Sequence, residues 1–341
     1  MVTAFVSLRR GSVSPASGGV GGCARELKGL VHVVNHSSPL PERSGHGLVR
    51  TGRQPRLQAR RRPTNPGPTM LKEADIGGAK ERLTDRHWGW TEQLEPTFVA
   101  KPWGRTDIPD APPEALPLGE IIYRANGHNL IVKWLHTAEP LSVQVHPRTR
   151  RRKHEWWHVI EARPGAYIDL GVSRPCTRDE IAAAARAGSL PDLLNRIEPR
   201  TGDTFYIEAG TIHALGPGLT ILEIQEDSDV TYRLFDYGRV RELHLEQGLT
   251  EAITEPQPIA AMPGPEAPFS LAPLRLDAGE KIEFNTEGAA LAVVAGEGTL
   301  AGRAVKAGQC WLADGALTIT ADAPMHLFIA EPRPPRPTST E

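Results

Sequence analysis

The stretch Gln144-Val145-His146-Pro147 decides how this chain of 341 residues is interpreted. Successive side chains of a β-strand point to opposite faces, so Gln144 and His146 point to the same side if the stretch is extended. An amide oxygen and an imidazole nitrogen on one face are two potential ligands for a divalent metal. A lone histidine in a strand is more often a surface or hydrogen-bonded residue, so the interpretation needs partners elsewhere in the sequence.

Two later segments supply those partners. Lys153-His154-Glu155 brings a carboxylate, and residues 202–213, which read GDTFYIEAGTIH, end on an imidazole. If both segments lie on neighbouring strands of one barrel, two imidazoles, one carboxylate and one amide oxygen surround a single point. That set suits a divalent metal of intermediate hardness, zinc first, and leaves room for a water or substrate oxygen. The predicted metal ligands are Gln144, His146, Glu155 and His213.

The spacing of these motifs resembles the two metal-binding motifs of the cupin superfamily. The ordered run of motifs is similar to that of the type I mannose-6-phosphate isomerases. Each motif alone is weak, but the run is specific and extends from about residue 97 into the C-terminal region. The segments that carry the resemblance are PLSVQVHP at residues 140–147, the Lys153-x-Glu155 pair, residues 202–213, ILEIQ at residues 221–225 and SDVTYRLFDY at residues 228–237.

Two departures from the family pattern affect the pocket. Glu208 stands where the second cupin motif has proline, which loosens the expected turn before Gly210. Residues 148–152, Arg-Thr-Arg-Arg-Arg, replace a longer and commonly acidic segment with a short basic turn. We expect this turn to make the rim of the pocket more positive, which suits a phosphorylated sugar but leaves the substrate range open.

The resemblance implies an enzyme that reversibly converts mannose 6-phosphate to fructose 6-phosphate. Protons would move between C1 and C2 through an enediol(ate), and each chain would hold one Zn²⁺. Arg233 and Lys153 match active-site positions of the family, and Asp229 lies in the matching Ser-Asp pair. From strand alternation, Arg233 shares a face with Thr231 and Phe235. Within residues 221–225, Glu223 is the best candidate for a second acid or base. The predicted catalytic residues are therefore Arg233, Lys153, Asp229 and Glu223.

Short strands with turns at regular spacing predict an all-β fold of two cupin-like (jelly-roll) barrels. The metal-binding barrel is expected over residues 70–255 and a metal-free second barrel over residues 256–330, followed by a disordered tail at 331–341. A helical insert is expected at about residues 177–197. It begins with a capping box in which Thr177 is the N-cap and Glu180 follows three residues later, and residues 190–197 are expected to form a second short helix.

The first 69 residues differ in composition from the rest of the chain. They are rich in Arg, Gly, Ser and Pro, contain only two acids, and show no sustained periodicity. Three interpretations stay open: a disordered basic extension, a transit peptide, or a misannotated start with Met70 as the real one. We favour the last, because ordinary composition begins at Met70, shortly before the family match.

Charge and cysteine content restrict the possible partners and location. The formal net charge is −2, so no overall field favours nucleic acid or a membrane surface. Three scattered cysteines form no disulfide framework and no Cys-x-x-Cys pair, which favours a reducing cytoplasm. The expected partner is a sugar-phosphate substrate, and the expected assembly is a monomer or weak homodimer.

Two other functions share the same ligands. A cupin oxygenase binds iron through two histidines and one glutamate, but Gln144 as a fourth ligand and the isomerase motifs argue against it. A non-enzymatic sugar-phosphate-binding regulator would keep the ligands without turnover. The presence of Lys153, Asp229 and Arg233 argues against that alternative.

Overall fold

The computed structural model describes residues 89–149 and 151–334. The predictions for residues 1–69 and for the end of the tail, from residue 335, lie outside this part of the chain. Strands dominate it, with two α-helices and two single 3₁₀ turns, as expected for an all-β fold. No helix in the described ranges combines the length and apolar character that crossing a membrane requires.

The described residues form eighteen strands. In chain order they are β1 (Trp90–Gln93), β2 (Thr97–Arg105), β3 (Leu118–Arg124), β4 (Leu130–His136), β5 (Val143–Val145), β6 (Glu155–Ala162), β7 (Ile168–Val172), β8 (Leu194–Ile197), β9 (Thr204–Ile207), β10 (His213–Leu215), β11 (Leu219–Glu226), β12 (Tyr232–Phe235), β13 (Phe269–Leu276), β14 (Lys281–Ala295), β15 (Glu297–Leu300), β16 (Arg303–Lys306), β17 (Cys310–Ala321) and β18 (Met325–Pro332). The helices are α1 (Arg178–Ala187) and α2 (Leu245–Glu251), and the 3₁₀ turns are Pro113–Ala115 and Leu190–Leu193.

Two antiparallel sheets form the first barrel. One has six strands in the order β2-β3-β4-β11-β6-β9, and the other has five in the order β12-β5-β10-β7-β8. Buried apolar side chains from both sheets meet between them, including Trp157, Ile168, Leu215 and Ile221. This core fills part of the barrel, and the rest of the space between the sheets is polar.

The helices cover the outer face of the five-stranded sheet. Thr177 caps α1 by accepting a hydrogen bond from the Glu180 backbone N–H at 3.1 Å, as the capping box predicts. The helix ends at Gly188, which takes the left-handed conformation (φ 81°) that favours glycine. The prediction of a second helix at residues 190–197 is wrong, because a single 3₁₀ turn there leads directly into β8.

The second barrel is one antiparallel sheet of β13 to β18 joined by β1 from the start of the described chain. Its long strands β14 and β17 pair along most of their length, and the register shifts once, between Thr286 and Ala289. Such a bulge bends the strands, so that the sheet curves around its own apolar core. Glu331 still pairs with Ser270 in this sheet. The prediction of a disordered tail from residue 331 is therefore wrong for its first two residues, which belong to β18.

The two faces of the six-stranded sheet contact different parts of the molecule. On one face, Leu130, Val132 and Trp134 of β4 pack against the second barrel. Trp156 of β6 joins this cluster, to which the second barrel contributes Phe328 of β18. The alternate residues of the same strands point into the first barrel. The second barrel therefore supports the outer face of the sheet whose inner face carries half of the candidate site.

Candidate active site and metal centre

His146, Glu155 and His213 come together in the polar part of the first barrel. Among the described residues they form a group whose ligand atoms all lie within 4.8 Å of one another. Nε2 of His146 is 3.0 Å from Oε1 of Glu155, and Nε2 of His213 is 3.8 Å from Oε2. Each of the three residues is only 1% exposed. The structure thus places three of the four predicted ligands around one point.

Backbone hydrogen bonds orient both imidazoles toward that point. Nδ1 of His146 is 3.1 Å from the Val230 carbonyl, and Nδ1 of His213 is 2.9 Å from the Thr211 carbonyl. Each Nδ1 therefore carries its proton and donates, which leaves Nε2 with a free lone pair. Burial, followed by the nearby Lys153 charge, lowers the pKa of His146 to about 3, and burial also lowers the pKa of His213. Both rings are neutral at pH 7, as metal ligation requires.

Glu155 is ionised and incompletely satisfied. Burial opposes its charge, but Lys153, followed by His146, holds the pKa of this carboxyl well below its usual range. Lys153 Nζ is 2.8 Å from Oε1, while Oε2 is buried without a hydrogen-bond partner in the described structure. A buried carboxylate oxygen without a partner is costly. A divalent cation bound to these three residues would remove that cost, so the donor set fits a metal.

Gln144 lies beside the three ligands, on β5 opposite His213 of β10. Its amide nitrogen Nε2 is 3.2 Å from Nε2 of His213. A half-turn of the amide group exchanges its oxygen and nitrogen and presents the oxygen to the same point. The fourth predicted ligand is therefore adjacent, and ligation through oxygen requires that turn.

The four candidate ligands come from both sheets. Gln144 lies on β5, His146 directly follows that strand, and His213 begins β10 of the same sheet. Glu155 begins β6 in the opposite sheet. A tight turn at Gly210 brings β5 and β10 together, because its N–H donates to the His146 carbonyl at 3.0 Å. Gly210 has φ 91°, and a Cβ there would lie 2.9 Å from the Glu251 carbonyl oxygen. This turn closes with glutamate at position 208, without the proline of the cupin motif.

Glu223 lies next to this group on the inner face of β11. Its Oε2 accepts a hydrogen bond of 2.9 Å from Trp157 Nε1, and its Oε1 is 3.1 Å from Lys133 Nζ. Burial, followed by the Glu155 charge, raises the pKa of Glu223, although Lys133 acts in the opposite direction. A buried carboxyl with a raised pKa beside a polar cavity is a candidate for proton transfer.

A cavity opens beside the metal-ligand group and has two lobes. The first, of about 300 Å³, reaches Gln144, Glu155, Glu223, Arg233 and Arg241, and the second, of about 270 Å³, reaches Arg124 and Ser228. Six residues line both lobes, which makes the space continuous: Lys101, Glu120, Lys133, Lys153, Asp229 and Thr231. The cavity is therefore polar and contains several charged groups.

Arg233 lines the first lobe and is opposite Gln144 in the ladder between β12 and β5. Its Nη1 donates to the Glu242 carbonyl at 2.8 Å, and its Nε is buried without a partner in the described structure. Thr231 lines the same cavity, as predicted, but Phe235 packs in the apolar cluster under the helices instead. A register shift between Arg233 and Phe235 interrupts the alternation on which the shared face was predicted.

Asp229 occupies the rim of the cavity. Its side chain is 70% exposed, and its Oδ1 accepts a hydrogen bond of 2.7 Å from Arg124. This bond, more than any other effect, lowers the pKa of Asp229. An exposed carboxylate held by arginine is better placed to orient a sugar hydroxyl than to accept a proton.

Two arginines of the basic turn at residues 148–152 are paired with glutamates. Arg148 approaches Glu251 at 3.9 Å, and Arg152 pairs with Glu226 at 3.1 Å. Neither arginine lines a lobe of the cavity. The expectation of a basic rim is therefore wrong for Arg148 and Arg152, because Glu251 and Glu226 pair with them and neither lines the cavity.

Sequence reasoning missed four charged residues of the first lobe of the cavity. Lys133 is the most informative, because it is the only charged residue in the otherwise largely apolar strand β4. A lysine on the inner face of such a strand is a detectable signal. The others lie far from the motifs and carry no comparable signal: Lys101, Glu120 and Arg241.

Comparisons with known proteins point to one group of enzymes. The chain is 37% identical over 135 residues to the mannose-6-phosphate isomerase ManA of Bacillus subtilis, a match that covers 35% of this chain and 42% of that protein. It is 38% identical over 148 residues to the mannose-6-phosphate isomerase of Streptococcus mutans, which covers 39% and 46%. The matched region thus spans less than half of the length of these relatives. No protein-family model matches the chain.

The fold similarity extends further than the sequence similarity. The crystal structure of the mannose 6-phosphate isomerase from Bacillus subtilis matches with a TM-score of 0.58 and 22% identity, over 70% of this chain and 98% of that one. The chain thus has the cupin fold of the phosphomannose isomerases, and the resemblance predicted from the motifs is confirmed at this level.

Proposed function

We propose that this protein interconverts mannose 6-phosphate and fructose 6-phosphate. The observation that carries the proposal is the convergence of a buried His-Glu-His metal group, the buried carboxyl of Glu223 and the cation Arg233 on one polar cavity. Such a cavity offers a Lewis acid site, a proton-transfer group and a stabilising charge within one space. The relatives named as mannose-6-phosphate isomerases support the same substrate.

Zinc is the metal we propose, one ion per chain. His146, His213 and Glu155 would hold it, with Gln144 as fourth ligand after its amide turns. When bound, the ion would polarise substrate oxygens and stabilise developing negative charge without redox chemistry. The neutral amide of Gln144 adds no charge, so this ligand set keeps the centre net positive.

Glu223 is the residue we propose to move the proton between C1 and C2. Trp157 and Lys133 hold its two carboxylate oxygens, so the group is fixed while its raised pKa favours proton exchange. Lys153 is the second candidate, since its ammonium lies at the cavity wall against Glu155. Arg233, opposite Gln144, would stabilise the enediolate, and Asp229 would orient a sugar hydroxyl from the rim.

Other expectations about the protein stay predictions. A monomer or weak homodimer without nucleic-acid or membrane partners is consistent with the near-neutral charge. The proposed cytoplasmic location agrees with the unpaired thiols of Cys176 and Cys310, both buried.

A coupled assay with mannose 6-phosphate tests the proposal. Formation of fructose 6-phosphate that is lost with a chelator and restored by zinc is the expected result, with metal content measured in parallel. Oxygen uptake with ferrous iron in place of isomerisation would favour the oxygenase. Substrate binding without turnover would favour the regulator.

A further inference from the structure

The cations of the cavity differ in how completely they are paired. In the first lobe, Lys101 pairs with Glu120 at 3.1 Å, and Lys133 and Lys153 pair with Glu223 and Glu155. These lysines are bound to carboxylates that belong to the cavity wall itself. The remaining cations of this lobe are two arginines, and they are arranged differently.

Arg241 shares its carboxylate with a second arginine. Its Nε and Nη2 each lie 2.6 Å from an oxygen of Asp236, which is 3% exposed. Nε of Arg239 also donates to Asp236, at 3.1 Å. One buried carboxylate is therefore shared by two guanidinium groups.

Arg239 is anchored independently of Arg241. Its Nη2 donates to the Pro140 carbonyl, and its Nη1 is 3.9 Å from Glu139. If Arg241 turned away, Arg239 would still compensate the buried charge of Asp236. Removing the partner of a buried charge is costly only when no other partner remains. Arg241 can therefore leave this carboxylate at a smaller cost than a simple ion pair would impose.

After Arg241, Arg233 is the second arginine of the first lobe. Both line the first lobe, and Arg233 has no carboxylate within 4.0 Å in the described residues. Burial, followed by the Arg241 charge, lowers the pKa of Arg233. Two like charges on one wall repel each other, and an anion placed between them would relieve that repulsion.

We propose that Arg241 is the residue that recognises the phosphate group of the substrate, exchanging Asp236 for it on binding. A guanidinium group matches phosphate geometry through two parallel N–H donors. Arg233 lies opposite the candidate ligand Gln144 in the strand ladder, so we assign Arg233 to the reacting end of the substrate and Arg241 to its phosphate end. This assignment rests on the proposed function for the identity of the sugar, but the anion site can be tested without turnover.

The experiment measures binding of inorganic phosphate to the full-length protein by calorimetry. Arg241→Gln should raise the dissociation constant roughly 10- to 100-fold, the effect expected for one charge-assisted hydrogen-bonded pair. Arg196→Gln is the matched control, because Arg196 holds the buried carboxylate of Asp169 through the same two donors but does not line the cavity, and it should change the constant less than about threefold. If Arg241→Gln does not fold, Arg241→Lys replaces it and should still weaken binding at least about fivefold, because the planar fork is lost.

The assignment is overturned if the Arg241 variant binds phosphate like the wild type or if Arg196→Gln weakens binding equally. Undetectable phosphate binding by the wild type at about 10 mM overturns it as well. Isomerase assays on the same preparations separate the two proposals. Phosphate binding through Arg241 without isomerisation would contradict the proposed function but not the assignment. Isomerisation with an unchanged KM in Arg241→Gln would contradict the assignment but not the proposed function.

Discussion

Trp157 donates a hydrogen bond of 2.9 Å from Nε1 to Oε2 of Glu223, at the centre of the candidate site. The same indole ring meets the ring of His213 edge-on, with 5.5 Å between centroids. One fully buried side chain therefore contacts both the proposed proton-transfer group and a proposed metal ligand. We infer that Trp157 positions Glu223.

Replacing Trp157 by phenylalanine should lower kcat about tenfold or more with little change in KM. The ring remains against His213, but Glu223 loses the donor that fixes its carboxylate, and a hydrogen bond to a charged group is worth about 1.5–3 kcal/mol. Steady-state kinetics with metal analysis measure the effect. The matched control is Trp156→Phe, which removes a 3.0 Å bond to the Ala261 carbonyl on the opposite face of the strand. Equal kinetic losses in both variants would show that Trp157 is only structural.

Acid should destabilise the fold through two histidines between the barrels. His158 and His326 lie 5.5 Å apart by ring centroids, and each has a buried ring nitrogen without a partner in the described structure. Burial is the main reason that the pKa of each histidine is lowered to about 4. The Arg275 charge lowers both pKa values further, and the His326 charge also lowers that of His158. The unfolded chain binds these protons more readily, so stability is intact above about pH 6.5 and falls as the pH drops toward 4.

Chemical denaturation at pH 7.5 and pH 5 measures this loss. His158→Gln should reduce the difference in unfolding free energy between the two pH values, by up to about 2 kcal/mol, because its share of the proton linkage disappears. His244→Gln, outside this pair, serves as the control. An unchanged pH dependence in His158→Gln would show that this imidazole does not contribute.

The sequence determines parts of this site that depend on local pattern. Thr177 and Gly188 bound the helix where their residue types predict, and the ligand motif identifies Glu155 and His213 because strand alternation aims them inward. Spacing alone does not place Glu155 in the opposite sheet from the histidines. That depends on how the barrel closes, which is a matter of long-range pairing.

The residues that sequence reasoning missed are those whose role depends on non-local packing. Lys133 pairs with Glu223, which lies 90 positions later in the chain. Arg241 lines the cavity only because the loop after β12 passes beside it. The bulge that separates Arg233 from Phe235 likewise has no signature in the residues themselves. Their placement follows from the assembled sheets and not from any short motif.

His213→Ala should abolish stoichiometric zinc and reduce activity by at least about 100-fold, since even outer-shell changes cost 10- to 100-fold. His146 and Glu155 alone leave an incomplete ligand set, whereas the surrounding barrel core should still fold. Metal analysis, circular dichroism and the coupled assay measure the three effects. His154→Gln is the matched control, because His154 hydrogen-bonds Tyr206 instead of facing the ligands. Full activity of a metal-free preparation would contradict the proposed metal dependence.

Arg233→Lys should mainly lower kcat. Arg233 lies opposite Gln144 at the metal end of the cavity, and lysine keeps the charge but loses the planar fork that can bind an enediolate oxygen. Loss of one donor to an oxyanion typically costs on the order of 10²–10³ in rate. The charge for phosphate is assigned to Arg241 and not to Arg148 and Arg152, which pair with glutamates, so KM should change little. Steady-state kinetics decide between the roles: a raised KM with unchanged kcat would transfer phosphate binding to Arg233, and wild-type values of both would make it a structural residue.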